Sequence, residues 1–151
     1  SRHLRVFISS EKELPEELKN YQIKIPPEQM HNALAYAHLF VGESSTMATE
    51  SAVLGTPSIY INDSKLGYTN DLANYGLLYS YMESENDQIA AIKKAEELAL
   101  KQNIKEEYIA KREKMLADKI DVSAFLIWFV ENYPESFKEV KAKDFDFGRF
   151  K

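Results

Sequence analysis

Residues 38–57 read HLFVGESSTMATESAVLGTP, and the order of residue types in this stretch decides the fold prediction. The apolar run before Gly42 has the character of a buried strand. The hydroxyl residues that follow are typical of a helix start, and Gly55 and Pro57 predict that the helix ends just before them. The stretch therefore predicts a strand, a tight turn and a helix in direct succession.

Similar apolar runs recur on both sides of this unit, separated by shorter helical segments. The runs predicted as strands are 4–8, 21–25, 38–41, 58–61 and 77–81. Strands that alternate with helices favour a parallel sheet. We predict an α/β fold, a Rossmann-like doubly wound parallel sheet with helices on both faces, and a helical carboxy-terminal extension.

The second half of the chain has a different character. A charged helical region is predicted from Asp87 to about Lys119, with a break near Asn103. Asp121 is the expected N-cap of a last, strongly apolar helix at 122–133. No period is recognisable beyond it. We therefore divide the chain into a core at 1–85 and an extension at 86–151 that packs on the core.

Composition excludes several classes of function. The net charge of −5 provides no basic surface for nucleic acid, and no apolar run is long enough for a membrane span. The absence of cysteine removes disulfides and thiolate chemistry. Three scattered histidines do not predict a metal site. We expect a cytoplasmic protein that binds neither nucleic acid nor metal.

The candidate binding site lies at the start of the helix in the quoted stretch. Ser44, Ser45 and Thr46 place three hydroxyls beside the free backbone N–H groups and positive dipole end of that helix, an arrangement suited to a diphosphate. Glu50 lies one turn later on the same face as Thr46, where a carboxylate suits ribose hydroxyls. The alternative is that Ser44 only caps the helix and Glu50 is a solvated acid.

The stretch from Glu43 to Glu50, followed by Leu54-Gly55-Thr56-Pro57, resembles the carboxy-terminal nucleotide-binding half of the GT-B superfamily. It is similar to UDP-N-acetylglucosamine 2-epimerases, and closer to a poorly characterised bacterial and archaeal group with the same half-fold. Epimerases have two glycines where this chain has Ser45 and Thr46, and the second group has hydroxyl or alanine residues there. The resemblance covers residues 5–82.

The resemblance implies a glycosyltransferase or epimerase of surface-glycan synthesis, with a UDP-sugar as substrate and no separate cofactor. It implies diphosphate binding by Ser44, Ser45 and Thr46 and ribose binding by Glu50. Catalytic residues stay unassigned, because the family's acids and bases lie mostly in the amino-terminal domain or in the first strand-loop unit of this half, and we expect both to be missing here. The further implied contacts are with the base (Ile25, Pro26, Pro27) and with the sugar (Asp63, Ser64, Gly67, Tyr68), the latter four in a polar loop that the sequence predicts at 62–70.

Three further interpretations stay open. A non-catalytic, flavodoxin-like signalling or protein-interaction module shares this order of elements. His31, in the first turn of its helix, either points toward the ligand cleft or has a surface or capping role, and we favour the latter. The helix at 122–133 is apolar on every side, so Trp128, Phe129 or their neighbours are expected to pack on the missing domain or pair in a homo-oligomer.

Overall fold

The computed structural model describes residues 4–64 and 66–151. The chain forms two compact units, the first ending at Arg112 and the second running from Glu113 to Lys151. The first unit contains a parallel sheet with α-helices packed against it, so the α/β class predicted from the sequence is confirmed.

The sheet has three parallel strands in the order β1 (Phe40–Gly42), β2 (Ser58–Ile61) and β3 (Leu78–Tyr81). Val41 is in register with Ile59, and Ile59 with Tyr79. Three successive residues of β2 are buried, and because side chains alternate along a strand, both faces of the sheet are covered at its centre. The spatial order follows the chain order through these three strands, without the reversal that defines a doubly wound sheet.

The helices up to residue 131 lie where the sequence predicts helical segments. Their bounds are α1 Met30–Tyr36, α2 Ser45–Val53, α3 Gly67–Asn74, α4 Glu85–Leu100, α5 Ile104–Asp118, α6 Val122–Glu131 and α7 Glu135–Lys141. Helices α2, α3 and α4 contact the strands. The predicted break between α4 and α5 is confirmed, and Asn103 has a positive φ of 54° there. Both α4 and the first part of α5 belong to the unit that contains the sheet.

The segment before α1 differs from the prediction. The runs at 4–8 and 21–25 do not form strands but meet at one isolated parallel bridge between Ile8 and Gln22. A 3-10 helix at Glu16–Tyr21 occupies the start of the second run, and Val6 and Phe7 remain about half exposed. Among the residues that the structure describes, no strand pairs with either run, and one bridge provides too little pairing to extend into a ladder.

The second unit is organised by aromatic contacts that the sequence did not predict. The Asp121 carboxylate caps α6 by accepting a hydrogen bond from the Ala124 N–H, which confirms the predicted N-cap. The tail, in which no element was predicted, forms α7 and a 3-10 helix at Phe147–Phe150. Its rings pack on one side of α6, where the contacts join Phe125 and Trp128 to Phe145, Phe147 and Phe150.

Candidate functional site

The start of α2 has the geometry that the sequence predicts. Ser44 is the N-cap in an extended conformation, and its Oγ accepts a hydrogen bond from the Met47 N–H at 3.3 Å. The N–H groups of Ser45 and Thr46, in the first turn, have no intrahelical acceptor within reach. The hydroxyl of Ser44 thus satisfies the third N–H of the helix, and the first two point out of its end.

Helix α2 is held against the sheet by small residues. Ala48, Ser51 and Ala52 are fully buried, so the helix axis approaches β1 and β2 closely. The helix ends at Val53, and the chain turns back into β2 through Gly55, whose φ of +79° is in the left-handed region that favours glycine. These contacts fix the start of α2 next to the carboxyl ends of the parallel strands.

A buried polar contact fixes α1 beside α2. The Lys105 ammonium donates hydrogen bonds to the Ala35 carbonyl at 2.6 Å and to Thr56 Oγ1 at 2.9 Å. Thr56 in turn donates to the Leu34 carbonyl at 2.9 Å. Burial, with a smaller effect of nearby Arg112, lowers the pKa of Lys105. The ammonium therefore joins the end of α1 to the turn that follows α2.

The first turn of α1 consequently reaches the predicted ribose-binding carboxylate. His31 Nε2 lies 3.3 Å from Glu50 Oε2, with side chains 67% and 37% exposed. Glu50 thus has a neighbouring imidazole while its own side chain stays partly exposed to solvent. The sequence offered His31 only as a lesser candidate, because the spacing between residues 31 and 50 carries no periodic signal.

A second element approaches α2 from the loop that follows β2. The Tyr68 hydroxyl donates to Ser45 Oγ at 3.2 Å. Tyr68 and Gly67 lie in the first turn of α3, whereas the sequence placed both in a loop, so the connection from β2 is shorter than predicted. Of the four residues predicted on the sugar side, Tyr68 is thus brought into contact with a predicted diphosphate residue.

The other predicted residues have different partners. Asp63 Oδ1 accepts a hydrogen bond from the Glu83 N–H at 2.9 Å, and the Ser64 N–H donates to Asn62 Oδ1. Both therefore belong to loops at the carboxyl edge of β2 and β3. Ile25–Pro27 leads into a 3-10 helix at Pro27–Gln29 directly before α1, the helix that carries His31. Their predicted contact with a base stays a prediction.

The arrangement combines helix-end N–H groups, three hydroxyls and a histidine–carboxylate pair on an accessible surface. Within residues 4–64 and 66–151, no group of three or more histidine, aspartate or glutamate side chains is placed to hold a metal ion. In the same part of the chain, no helix combines the length and apolar composition that crossing a membrane requires.

Comparison of the chain with protein-family models, with curated proteins and with solved structures found no match. The interpretation of the site therefore depends on its own geometry and on the sequence motif that it contains.

Proposed function

We propose that the first unit binds the nucleoside diphosphate part of a UDP-sugar at the start of α2. In this proposal the chain represents the carboxy-terminal half of a GT-B glycosyltransferase or sugar-nucleotide epimerase, and its three strands are part of a doubly wound Rossmann-like sheet. The observation that carries the proposal is the start of α2 beside the carboxyl ends of parallel strands, where Tyr68 donates to Ser45 Oγ and, one turn later, His31 lies next to Glu50.

The chemistry of each group supports a role for it. The N–H groups of Ser45 and Thr46 and the dipole of α2 favour a phosphate oxygen, and the three hydroxyls add donors. Glu50 is suited to ribose because a carboxylate accepts hydrogen bonds from both hydroxyls of a diol. His31 orients this carboxylate through the 3.3 Å contact. Binding of this kind needs neither a metal nor a basic side chain.

The helix end also suggests what the site contributes to a reaction. When a sugar leaves a nucleoside diphosphate, negative charge grows on the phosphate oxygens, and preorganised N–H donors stabilise that charge. The acid or base that completes the reaction is assigned to the amino-terminal domain of the proposed enzyme. On this basis we expect the 151-residue chain to bind UDP without turning over a UDP-sugar.

Titration calorimetry with UDP, uridine and pyrophosphate tests the proposal. We expect UDP to bind more tightly than uridine, because the diphosphate supplies the contacts with the end of α2. Equal affinities for UDP and uridine would mean that the diphosphate makes no contact that contributes to binding. Failure of all three compounds to bind would favour the non-catalytic module instead.

A further inference from the structure

The second unit exposes an apolar ridge on α6 that lies apart from the tail aromatic rings. Val122, Leu126 and Val130 follow one another at intervals of four residues and are 58%, 53% and 71% exposed. Ile127, next to Leu126, is 59% exposed. We call these four residues the α6 ridge. Exposed apolar surface of this continuity is unusual for a surface that faces only water.

The tail cannot cover the ridge because it is already engaged on another side of the helix. Trp128 packs against Phe145 and Phe150, with ring centroids 5.5 and 5.4 Å apart, and the Arg149 guanidinium lies 4.0 Å from the centre of the Trp128 ring. The Asp121 N–H also donates to the Phe150 carbonyl at 2.6 Å. The sequence pointed to Trp128, Phe129 or their neighbours, and these contacts place the exposed surface on the neighbours that form the ridge.

The ridge has a symmetry of its own. Its sequence is Val, Leu, Val at equal spacing, so it reads the same in both directions about Leu126. An antiparallel copy related by a two-fold axis through Leu126 therefore places Leu126 on Leu126 and Val122 on Val130. Rows of residues four apart are the ridges that interlock when two helices cross at about −50°. A self-complementary patch of this kind is what a two-fold dimer requires.

The side chains of the surface are uncharged, with an acid at its border. The segment Val122–Val130 contains no charged residue, and Glu131 lines the groove beside Leu126, Ile127 and Val130. The four side chains of the α6 ridge leave on the order of 400 Å² exposed per copy, and twice that area is the size of a weak, reversible interface. We propose that the α6 ridge pairs with the α6 ridge of a second copy of this chain.

Sedimentation equilibrium on the full chain tests the pairing, and we expect a dimer. Leu126→Glu places two carboxylates together at the axis and should weaken dimerisation about tenfold or more, as expected for a residue at the centre of an interface. Ile92→Glu is the matched control, because Ile92 is 59% exposed on α4 and should leave the dimer intact. A monomeric wild-type chain, or a folded Leu126→Glu chain that still dimerises equally well, would overturn the proposal.

Two further variants test the symmetry itself. Leu126→Lys should also be monomeric, and mixing it with Leu126→Glu should restore a dimer because unlike charges then face each other at the axis. The chain has no cysteine, so Leu126→Cys should form a disulfide-linked dimer on mild oxidation, whereas Ile92→Cys should not. Loss of wild-type dimers in favour of binding to neutral lipid vesicles would assign the ridge to a membrane surface and overturn the pairing.

Discussion

His31 Nε2 lies 3.3 Å from Glu50 Oε2, and this contact joins the first turn of α1 to the second turn of α2. Both side chains are partly exposed, so the carboxylate stays accessible to a ligand at the start of α2. The role of Glu50 can be separated experimentally from that of the hydroxyls, since each is proposed to bind a different part of the ligand.

Replacing the Glu50 carboxylate should weaken the binding of the ribose and leave the binding of the diphosphate unchanged. We expect Glu50→Gln to weaken UDP binding about tenfold, because a hydrogen bond to a charged group contributes roughly 1.5–3 kcal/mol. Pyrophosphate binding should change little, since it has no ribose. Calorimetry with both ligands measures the difference, and His31→Gln, which keeps a hydrogen-bond donor near Glu50, serves as control. An equal loss for both ligands would place Glu50 at the diphosphate.

An acidic residue introduced at the start of α2 should weaken ligand binding without lowering the stability of the fold. Thr46→Glu adds negative charge in the first turn of α2, where the dipole favours it by about 0.3–1 kcal/mol, so the folded state should be as stable as the wild type. A phosphate should be repelled, and UDP binding should fall by at least tenfold. Denaturant unfolding and calorimetry on the same variant measure the two effects.

A second capped helix provides the matched control for that substitution. Ser84 caps α4 as Ser44 caps α2, with its Oγ accepting from the Asp87 N–H at 3.2 Å. Asn86 therefore occupies the position in α4 that Thr46 occupies in α2. Asn86→Glu should leave UDP binding unchanged. A similar loss of affinity in both variants would mean that the helix start is not the site of binding.

The parts of the fold that sequence predicts well are those with strong local signals. Ser44, Gly55 and Asp121 are cap or stop residues whose preferences act within one turn of the chain, and each has its predicted role in the structure. The three strands that pair around β2 were also predicted, because buried parallel strands are continuous apolar runs.

The features that the sequence did not predict correctly depend on contacts between residues that are distant in the chain. An apolar run such as 4–8 becomes a strand only where a partner strand lies beside it, and periodicity cannot report this. The contacts of His31 with Glu50 and of Tyr68 with Ser45 join residues 19 and 23 positions apart, so neither follows from a helical or strand repeat. The rings of the tail likewise pack on Trp128 only because the chain reverses direction after α6, which a local sequence pattern does not predict.

A buried tyrosine hydrogen-bonded to a second, partly exposed tyrosine predicts a specific dependence of stability on pH. The hydroxyls of Tyr79 and Tyr108 are 3.0 Å apart and Tyr108 is fully buried. Burial, and next the hydrogen bond with Tyr79, raise the pKa of Tyr108 above its ordinary value of about 10. The folded state then keeps a proton that the unfolded state loses, so this contribution to stability is complete below pH 10 and declines above it.

Tyr108→Phe should remove that decline. We expect the variant to lose about 1 kcal/mol at pH 8, where Tyr79 loses its partner. Between pH 10 and 11 its free energy of unfolding should fall less steeply than that of the wild type, since one shifted group is gone. Urea unfolding at pH 8, 10 and 11 measures both quantities. Parallel curves for the two proteins would show that Tyr108 titrates alike in the folded and unfolded states.

A side chain in the turn after α2 should cost stability because of the backbone conformation. Gly55 has a φ of +79°, whereas a Cβ there would make only an ordinary contact, 3.4 Å from Ile109 Cγ1. Gly55→Ala should therefore cost about 1–2 kcal/mol of unfolding free energy. Gly67, in the first turn of α3, is the matched control: a Cβ there meets nothing within 4 Å, and Gly67→Ala should be neutral or stabilising by about 0.4–1 kcal/mol. Denaturant unfolding compares them, and equal losses in both variants would mean that helix entry at Gly67 is as constrained as the turn at Gly55.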